Sequence, residues 1–259
     1  MNNLALNKFI LTTFLSITAV TIVAYFLRNS LQTIITDNAV STGWLFGTFG
    51  TIYALITAFV LVEVWGQYNA LDSALGSEAK VLTSLWNYTD YLNDDKVSRA
   101  MQPALLKYID QITTKELSQM GANQIIVHPS PELTAIMEVI DGITFDDPRD
   151  ASAFKSIIQS FENLSTARMS RISQGTTRMP ALLKIFFEMV TFSFLGIYLL
   201  QVYTNTPLYL VTVAVLSTVV LFVRAIILDL DNPFDGIWNI SAETYQNARD
   251  YIRGTKHKK

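Results

Sequence analysis

The sequence contains no cysteine and only two histidines among its 259 residues. The absence of cysteine excludes disulfides, thiolate metal sites and cysteine nucleophiles. The two histidines, His128 and His257, do not form a pair with metal-ligand spacing. No phosphate-binding glycine loop, nucleophile elbow or acid–base constellation is present. The sequence therefore predicts no catalytic residue, no metal site and no cofactor.

Charged residues are also scarce. They make up 16% of the chain, whereas about a quarter is usual for a soluble domain. Half of the residues are hydrophobic, and the mean hydropathy is +0.30. The net charge of −3, without a basic stripe, argues against nucleic acid as a partner. This composition indicates a membrane protein whose first partner is the lipid bilayer.

Four apolar runs are long enough to cross the bilayer, which takes roughly 20 residues. They are Phe9–Leu27, Leu45–Val62, Ile185–Tyr203 and Leu208–Leu228. The first run exceeds the length of a signal-peptide core, and no cleavage site follows it, so it is predicted to be a retained span.

Helical periodicity without alternating strand patterns predicts an all-α protein with a helical domain inserted between spans two and three. The predicted divisions are 1–64 and 181–228 for the membrane helices, 65–180 for the inserted domain and 229–259 for a tail. Ten lysines and arginines fall in 65–180 and six in 224–259, but only Arg28 lies between spans one and two. Because basic residues collect on the cytoplasmic side, both termini and the inserted domain are predicted to be cytoplasmic.

The inserted domain is predicted to contain several amphipathic helices. An apolar stripe continues from span two without a proline, and Glu78 lies off that stripe. The other predicted helices are Asp95–Gln119, Glu132–Asp141 and one from Asp147 to about Gly175. The inward positions expected for the second helix are Ala100, Leu105, Tyr108, Ile109 and Ile112.

Two motifs give the chain a family resemblance. The run Glu63-Val64-Trp65-Gly66-Gln67-Tyr68 at the end of span two resembles the pore-helix exit of bestrophins, which are pentameric chloride channels. Asp231-Asn232-Pro233-Phe234 resembles the motif that follows their last span. The closer resemblance is to the bacterial bestrophin-like domain-of-unknown-function family. It implies four spans, a homo-oligomer of five subunits and a bacterial inner-membrane location.

Alignment with bestrophins implies which face of span two lines the pore. This sequence differs from the bestrophin pattern at two places. Alignment through Trp65 and Gln67 places Gly47, Thr51 and Leu55 at the positions of the bestrophin neck, where bestrophins have bulky apolar side chains. Glu63 stands where bestrophins have an arginine, and a carboxylate facing the pore would favour cations over anions. The resemblance therefore implies inorganic ions as the permeating partner without settling their sign.

The polar residues near the membrane leave alternatives open. The glycines and hydroxyls of span two suit close helix packing as well as a pore lining. Lys184 is one turn from Glu188 and suits an ion pair with it, while Arg224 suits snorkelling or a pair with Glu63. Trp65 and Tyr68 suit an interfacial aromatic belt. Asp229, Asp231 and Asp235 lack calcium-loop spacing, so Asn232-Pro233 is read as a turn.

Three functions fit this sequence. The first is an oligomeric ion channel in which span two lines the pore. The second is a non-conducting membrane sensor or scaffold whose helical domain binds a cytoplasmic partner. The third is a stator-type proton channel, although no acidic residue lies in the middle of a predicted span.

Overall fold

A computed structural model describes residues 3–37, 39–92, 94–122, 124, 130–144, 150–234 and 236–254. Within this part of the chain all regular structure is helical, which confirms the all-α prediction. The helices are α1 Asn3–Asp37, α2 Ala39–Tyr91, α3 Asp95–Gln111, α4 Leu117–Gly121, α5 Pro131–Asp141, α6 Asp150–Thr176, α7 Ala181–Leu199, α8 Thr206–Leu230 and α9 Glu243–Gly254, with a π-helical turn Ile112–Glu116 between α3 and α4.

The chain divides into two compact units, and α2 contributes to both. The first unit comprises Met1–Gly66 and Arg178–Asn239, and the second comprises Gln67–Thr177 and Ile240–Lys259. The predicted tail is thus divided at Asn239, and its last helix, α9, belongs to the second unit. The unbroken α2 agrees with the absence of proline between its apolar and amphipathic parts.

The first unit is a bundle of apolar helices. α1 packs against α8 and α7, and α7 packs against α8. Phe194 of α7 stacks on Tyr53 and Phe46 of α2, with ring centroids 4.7 and 5.4 Å apart. Gln201, in the connection between α7 and α8, donates to the carbonyl oxygen of Thr42 at 3.0 Å. These contacts join α2 to the other helices of its unit.

Length and composition make three helical segments of the described residues capable of crossing a membrane: Val40–Tyr91, Asp150–Leu199 and Thr206–Leu230. Leu11–Leu27, within α1, is a shorter apolar helix. The predicted third span extends to Tyr203, but α7 ends at Leu199 and a non-helical connection follows. Several helices of this chain are therefore compatible with a membrane protein.

The second unit is built from amphipathic helices. α3 packs against α5 and α9, and α6 packs against α4 and α5. The Asp94 carboxylate caps α3 by accepting from the Lys96 amide at 2.7 Å, so the helix begins before Pro103. The Ser130 hydroxyl caps α5 by accepting from the Leu133 amide at 3.2 Å.

The predicted inward positions of α3 are mostly correct. Leu105, Tyr108, Ile109 and Ile112 are fully buried, whereas Ala100 is exposed. The predicted helix start at Asp147 lies outside the described residues, and the helix is described from Asp150 onwards.

Candidate functional site

In the first unit, α2 packs one face against the other helices and leaves the opposite face open. Tyr53, Thr57, Val60 and Val64 form a buried seam with three- and four-residue spacing. At 3.6 residues per turn, Thr51 and Leu55 lie on roughly the opposite side of the helix. Both are exposed, and the Leu55 side chain is 58% accessible. Gly47 is exposed as well, toward one flank of the same face.

The small residues of α2 fall into two groups. A Cβ atom on Gly50 would meet the Phe194 ring at 3.4 Å, so this glycine allows close packing with α7. A Cβ atom on Gly43 or Gly47 would meet no described heavy atom within 4 Å. The last two border an open groove of ≈ 510 Å³ that also includes Trp44 and Thr51. Close packing among the described residues therefore accounts for Gly50 but not for Gly43 or Gly47.

The residues predicted at the pore exit follow along the same helix. Glu63 is exposed, Trp65 is 41% exposed, and Gln67 and Tyr68 are half-buried. The Trp65 ring contacts Trp238 edge-to-face, with centroids 5.3 Å apart. The structure thus leaves the Glu63 carboxylate on the surface of the single chain.

The tail motif folds back onto the start of α7. Asp231 is buried, and its carboxylate accepts from the Met179 amide at 2.7 Å and from the Lys184 ammonium at 2.9 Å. Pro233 is also buried, while the half-buried Phe234 ring lies beneath the Arg178 guanidinium at 5.9 Å. These contacts give the Asp-x-Pro-Phe pattern a structural role, which is to hold the end of α8 against the beginning of α7.

A second carboxylate shapes the turn that follows. Asp229 accepts from the Ile237 amide at 3.1 Å and from the Trp238 amide at 2.9 Å. A Cβ atom at Gly236 would lie 2.2 Å from an Asp229 carboxylate oxygen, so this close approach needs glycine. Both carboxylates therefore bind protein donors, and the chain turns at Asn232-Pro233 as predicted.

The sequence profile of the bestrophin-like domain matches residues 13–245, which is most of the chain. The chain belongs to the bestrophin-like family. No curated protein matches it significantly.

Solved structures share its fold. A mutant of a bacterial bestrophin homologue from Klebsiella pneumoniae superposes with a TM-score of 0.74 at 10% identity, covering 95% of this chain and 99% of the homologue. Another mutant of that homologue gives a TM-score of 0.69 at 12% identity, covering 97% and 98%. A crystal structure described as a membrane protein gives 0.74 at 11% identity, covering 95% and 98%.

The first unit of this bestrophin-like chain contains ion pairs that differ from the sequence-based expectation. Arg224 donates two hydrogen bonds to Glu188, each of 2.7 Å, and so joins α8 to α7. Lys184 pairs with Asp231 rather than with the nearby Glu188. The two-pronged geometry of the guanidinium fixes the lateral position of α8 relative to α7.

The second unit of this bestrophin-like chain holds a buried charge network that the sequence did not reveal. Glu78 of α2 accepts from Arg171 of α6, from the Tyr108 hydroxyl at 2.5 Å and from the Tyr245 hydroxyl at 2.7 Å. Arg171 also donates to Glu116 at 2.6 Å. The prediction that Glu78 lies outside the buried stripe is wrong, since its side chain is fully buried.

A second arginine balances the charge of this network. Arg168 donates to both Glu116 carboxylate oxygens, at 2.7 and 2.9 Å, and both side chains are 1% exposed. Two arginines and two glutamates therefore share one buried site. The network connects five elements of the second unit: α2, α3, the π-helical turn, α6 and α9.

The environment of the network sets its pKa values. Burial raises the pKa of Tyr108 and of Tyr245 well above the ordinary value, and the Glu78 carboxylate adds to this. Burial acts to raise the pKa of Glu116, but hydrogen bonding from Arg168 and the charge of Arg171 outweigh it and lower the pKa. Both tyrosines therefore remain protonated donors, and Glu116 remains a charged acceptor.

These shifts predict an alkaline loss of stability. Tyrosine in an unfolded chain ionises near pH 10, whereas Tyr108 and Tyr245 keep their protons in the folded state. The unfolded state then binds fewer protons, so the free energy of unfolding falls above about pH 10 by up to roughly 1.4 kcal/mol per pH unit for each tyrosine. In Tyr245→Phe the free energy of unfolding is expected to fall less steeply with pH, because only Tyr108 then contributes to the slope.

Unfolding of the second unit, followed by hydrogen exchange between pH 8 and 12, measures this slope. Tyr251→Phe, on the exposed side of α9, is the matched control. An unchanged slope in Tyr245→Phe would show that Tyr245 does not hold its proton in the folded state.

Proposed function

We propose that the chain is one subunit of an oligomeric ion channel in the bacterial inner membrane, with α2 lining the pore. The observation that carries this proposal is the open face of α2. Its buried seam packs on the first unit, while Thr51 and Leu55 on the opposite side are exposed among the described residues. Membership of the bestrophin-like family and the shared fold support an ion channel over an unrelated membrane protein.

The proposed topology has four spans, formed by the apolar part of α1, the first part of α2, α7 and α8. The second unit holds most of the basic residues and α9, so it is placed in the cytoplasm together with both termini. Gly43 and Gly47, which no described side chain covers, suit contact with a neighbouring copy or the water of a pore.

Oligomerisation follows from the same geometry. One α2 helix encloses no channel, so several copies must place this face around an axis. The resemblance to bestrophins supports five copies. The cytoplasmic helices of the neighbouring subunits would then continue the ion pathway beyond the membrane.

The selectivity proposed for this channel differs from that of a chloride channel. Gly47 and Thr51 are small and Leu55 is of medium size, so this face would form a wider and more polar passage than a ring of bulky apolar residues. The exposed Glu63 lies further along α2 toward the cytoplasmic side. Its carboxylate at the pore exit would attract cations and repel anions.

The test is the current through purified protein in planar bilayers under a potassium chloride gradient. A reversal potential near that of potassium is expected. Glu63→Gln should lower the potassium-to-chloride permeability ratio by about fivefold, which corresponds to roughly 1 kcal/mol of Coulomb energy in water.

Glu162→Gln, on the exposed surface of α6, is the matched control, because it removes the same charge from the second unit. An unchanged permeability ratio in Glu63→Gln would place Glu63 away from the ion pathway. No current from a folded oligomer would contradict the channel itself.

The second candidate function is a membrane sensor, and one observation favours it. The second unit contains a cavity of ≈ 1180 Å³ between α3 and α5, bordered by residues that include Asp94, Lys96 and Glu138. A cavity of this size admits a small polar ligand. Ligand-dependent protection of α3 and α5 from hydrogen exchange, in protein that carries no current, would support this function.

A further inference from the structure

The short segment after α8 presents a tryptophan that neither the pore nor the tail motif explains. Trp238 is 40% exposed, and its ring contacts the similarly exposed ring of Trp65. Two half-exposed indole rings form an apolar surface that carries polar N–H groups. Rings of this kind concentrate where the hydrocarbon of a bilayer meets its headgroups.

The backbone of this segment is held in place. The Asp229 carboxylate, in the last turn of α8, accepts from the amides of Ile237 and Trp238. Gly236 allows that approach, because a side chain there would collide with Asp229. Trp238 is thus fixed to the end of α8 on one side and to Trp65 of α2 on the other.

These contacts place the ends of two apolar runs at one level of the first unit. Leu45–Trp65 and Leu208–Asp229 are each about 30 Å long at 1.5 Å per residue, which is the thickness of the hydrocarbon layer. A plane through the inner ends of both runs therefore passes close to Trp238. Charged groups in this part of the unit, Lys184 with Asp231 and Arg224 with Glu188, suit a headgroup layer.

We propose that Trp238, packed on Trp65, is an interfacial anchor that inserts into the phospholipid headgroup layer, so that the segment after α8 lies on the membrane surface. The anchor fixes the depth of the cytoplasmic end of α2, and with it the depth of Glu63. This inference requires a membrane but no conduction, so it stands or falls separately from the channel.

The absence of native cysteine allows a direct test by spin labelling. Single-cysteine variants Trp238→Cys, Val215→Cys on the exposed side of α8 and Arg99→Cys on the exposed side of α3 are labelled with a nitroxide in phosphatidylcholine–phosphatidylglycerol vesicles. Collisions with oxygen report hydrocarbon, and collisions with a water-soluble nickel chelate report water. The label at position 238 is expected to give an oxygen-to-nickel ratio between those of Val215→Cys and Arg99→Cys.

Two results would overturn the proposal. A ratio equal to that of Arg99→Cys would place position 238 in bulk water. Weak collisions with both reagents would show that protein, such as a second copy of the chain, covers the site instead of lipid.

A conservative variant provides a second measurement that does not remove the aromatic ring. In vesicles of phospholipid brominated near the headgroup, tryptophan fluorescence of the unsubstituted protein should be quenched by a larger fraction than that of Trp238→Phe. Equal fractions would mean that Trp238 is not among the lipid-contacting tryptophans, and the anchor would be refuted.

Discussion

Replacing Arg171 with methionine is expected to destabilise the second unit by about 3–5 kcal/mol, because it leaves a buried charge without its partner. Glu78 would keep the hydroxyls of Tyr108 and Tyr245 but would lose the guanidinium of Arg171, and Glu116 would keep Arg168. Hydrogen exchange of α2, α3 and α6 in detergent-solubilised protein should show opening that is roughly 10²–10⁴-fold more frequent.

Arg99→Met is the matched control for this experiment. Its guanidinium pairs with Asp95 on the same helix, and the two side chains are 79% and 67% exposed. An exposed pair contributes about 0–1 kcal/mol, so little change is expected. The double variant Glu78→Gln/Arg171→Met should be more stable than Arg171→Met alone. Equal effects of Arg171→Met and Arg99→Met would show that the buried network does not stabilise the unit.

Labelling a cysteine at Leu55 or Thr51 with a positively charged, water-soluble thiol reagent is expected to reduce the channel current by about tenfold or more, because the added group would obstruct the narrow part of the pore. Both positions lie on the open face of α2, and no native cysteine competes for the reagent. The measurement is the current through single-cysteine protein before and after the reagent is added.

Val215→Cys, on the exposed side of α8, is the control that distinguishes a pore-lining position from a position proposed to face lipid. The same reagent should leave its current unchanged, since hydrocarbon excludes a charged reagent. If Thr51→Cys and Leu55→Cys also respond as Val215→Cys does, then the open face of α2 contacts lipid, and the pore must be sought on another helix.

The sequence was most informative where one local pattern determines one element. The absence of proline and a continuing apolar stripe predicted that span two runs unbroken into an amphipathic helix, which the structure confirms. Pro207 in the first turn of α8 and the Ser130 cap of α5 are local features of the same kind. Such features depend on neighbouring residues only, so hydropathy and spacing are sufficient to find them.

The buried network was missed because hydropathy cannot distinguish a paired buried charge from a solvated one. Glu78 is separated from Arg171 by most of the second unit in sequence, and no local pattern links the two. One signal was available. The inward positions of α6 continue at helical spacing from Ile157 and Leu164 through Arg168 and Arg171 to Gly175. An apolar stripe that passes into arginines indicates that buried carboxylates lie opposite.

The tail motif is a second case in which the sequence did not predict a long-range binding partner. The resemblance identified Asp231, Pro233 and Phe234 as a unit, and the turn at Asn232-Pro233 was predictable from residue type. The partner of Asp231, however, is the backbone amide of Met179 at the start of another helix. The sequence motif identified the residues, but their binding partners could be identified only from the folded structure.

The hydroxyl of Tyr245 on Glu78 also has a consequence for biosynthesis. Residues 67–177 emerge from the ribosome before α7 and α8, while α9 is made after both of them. Until then the carboxylate of Glu78 lacks one of its donors, and the groove that α9 will occupy on α3 remains open. The second unit therefore completes its folding only after the apolar helices α7 and α8, which lie between its two segments in sequence, have been synthesised.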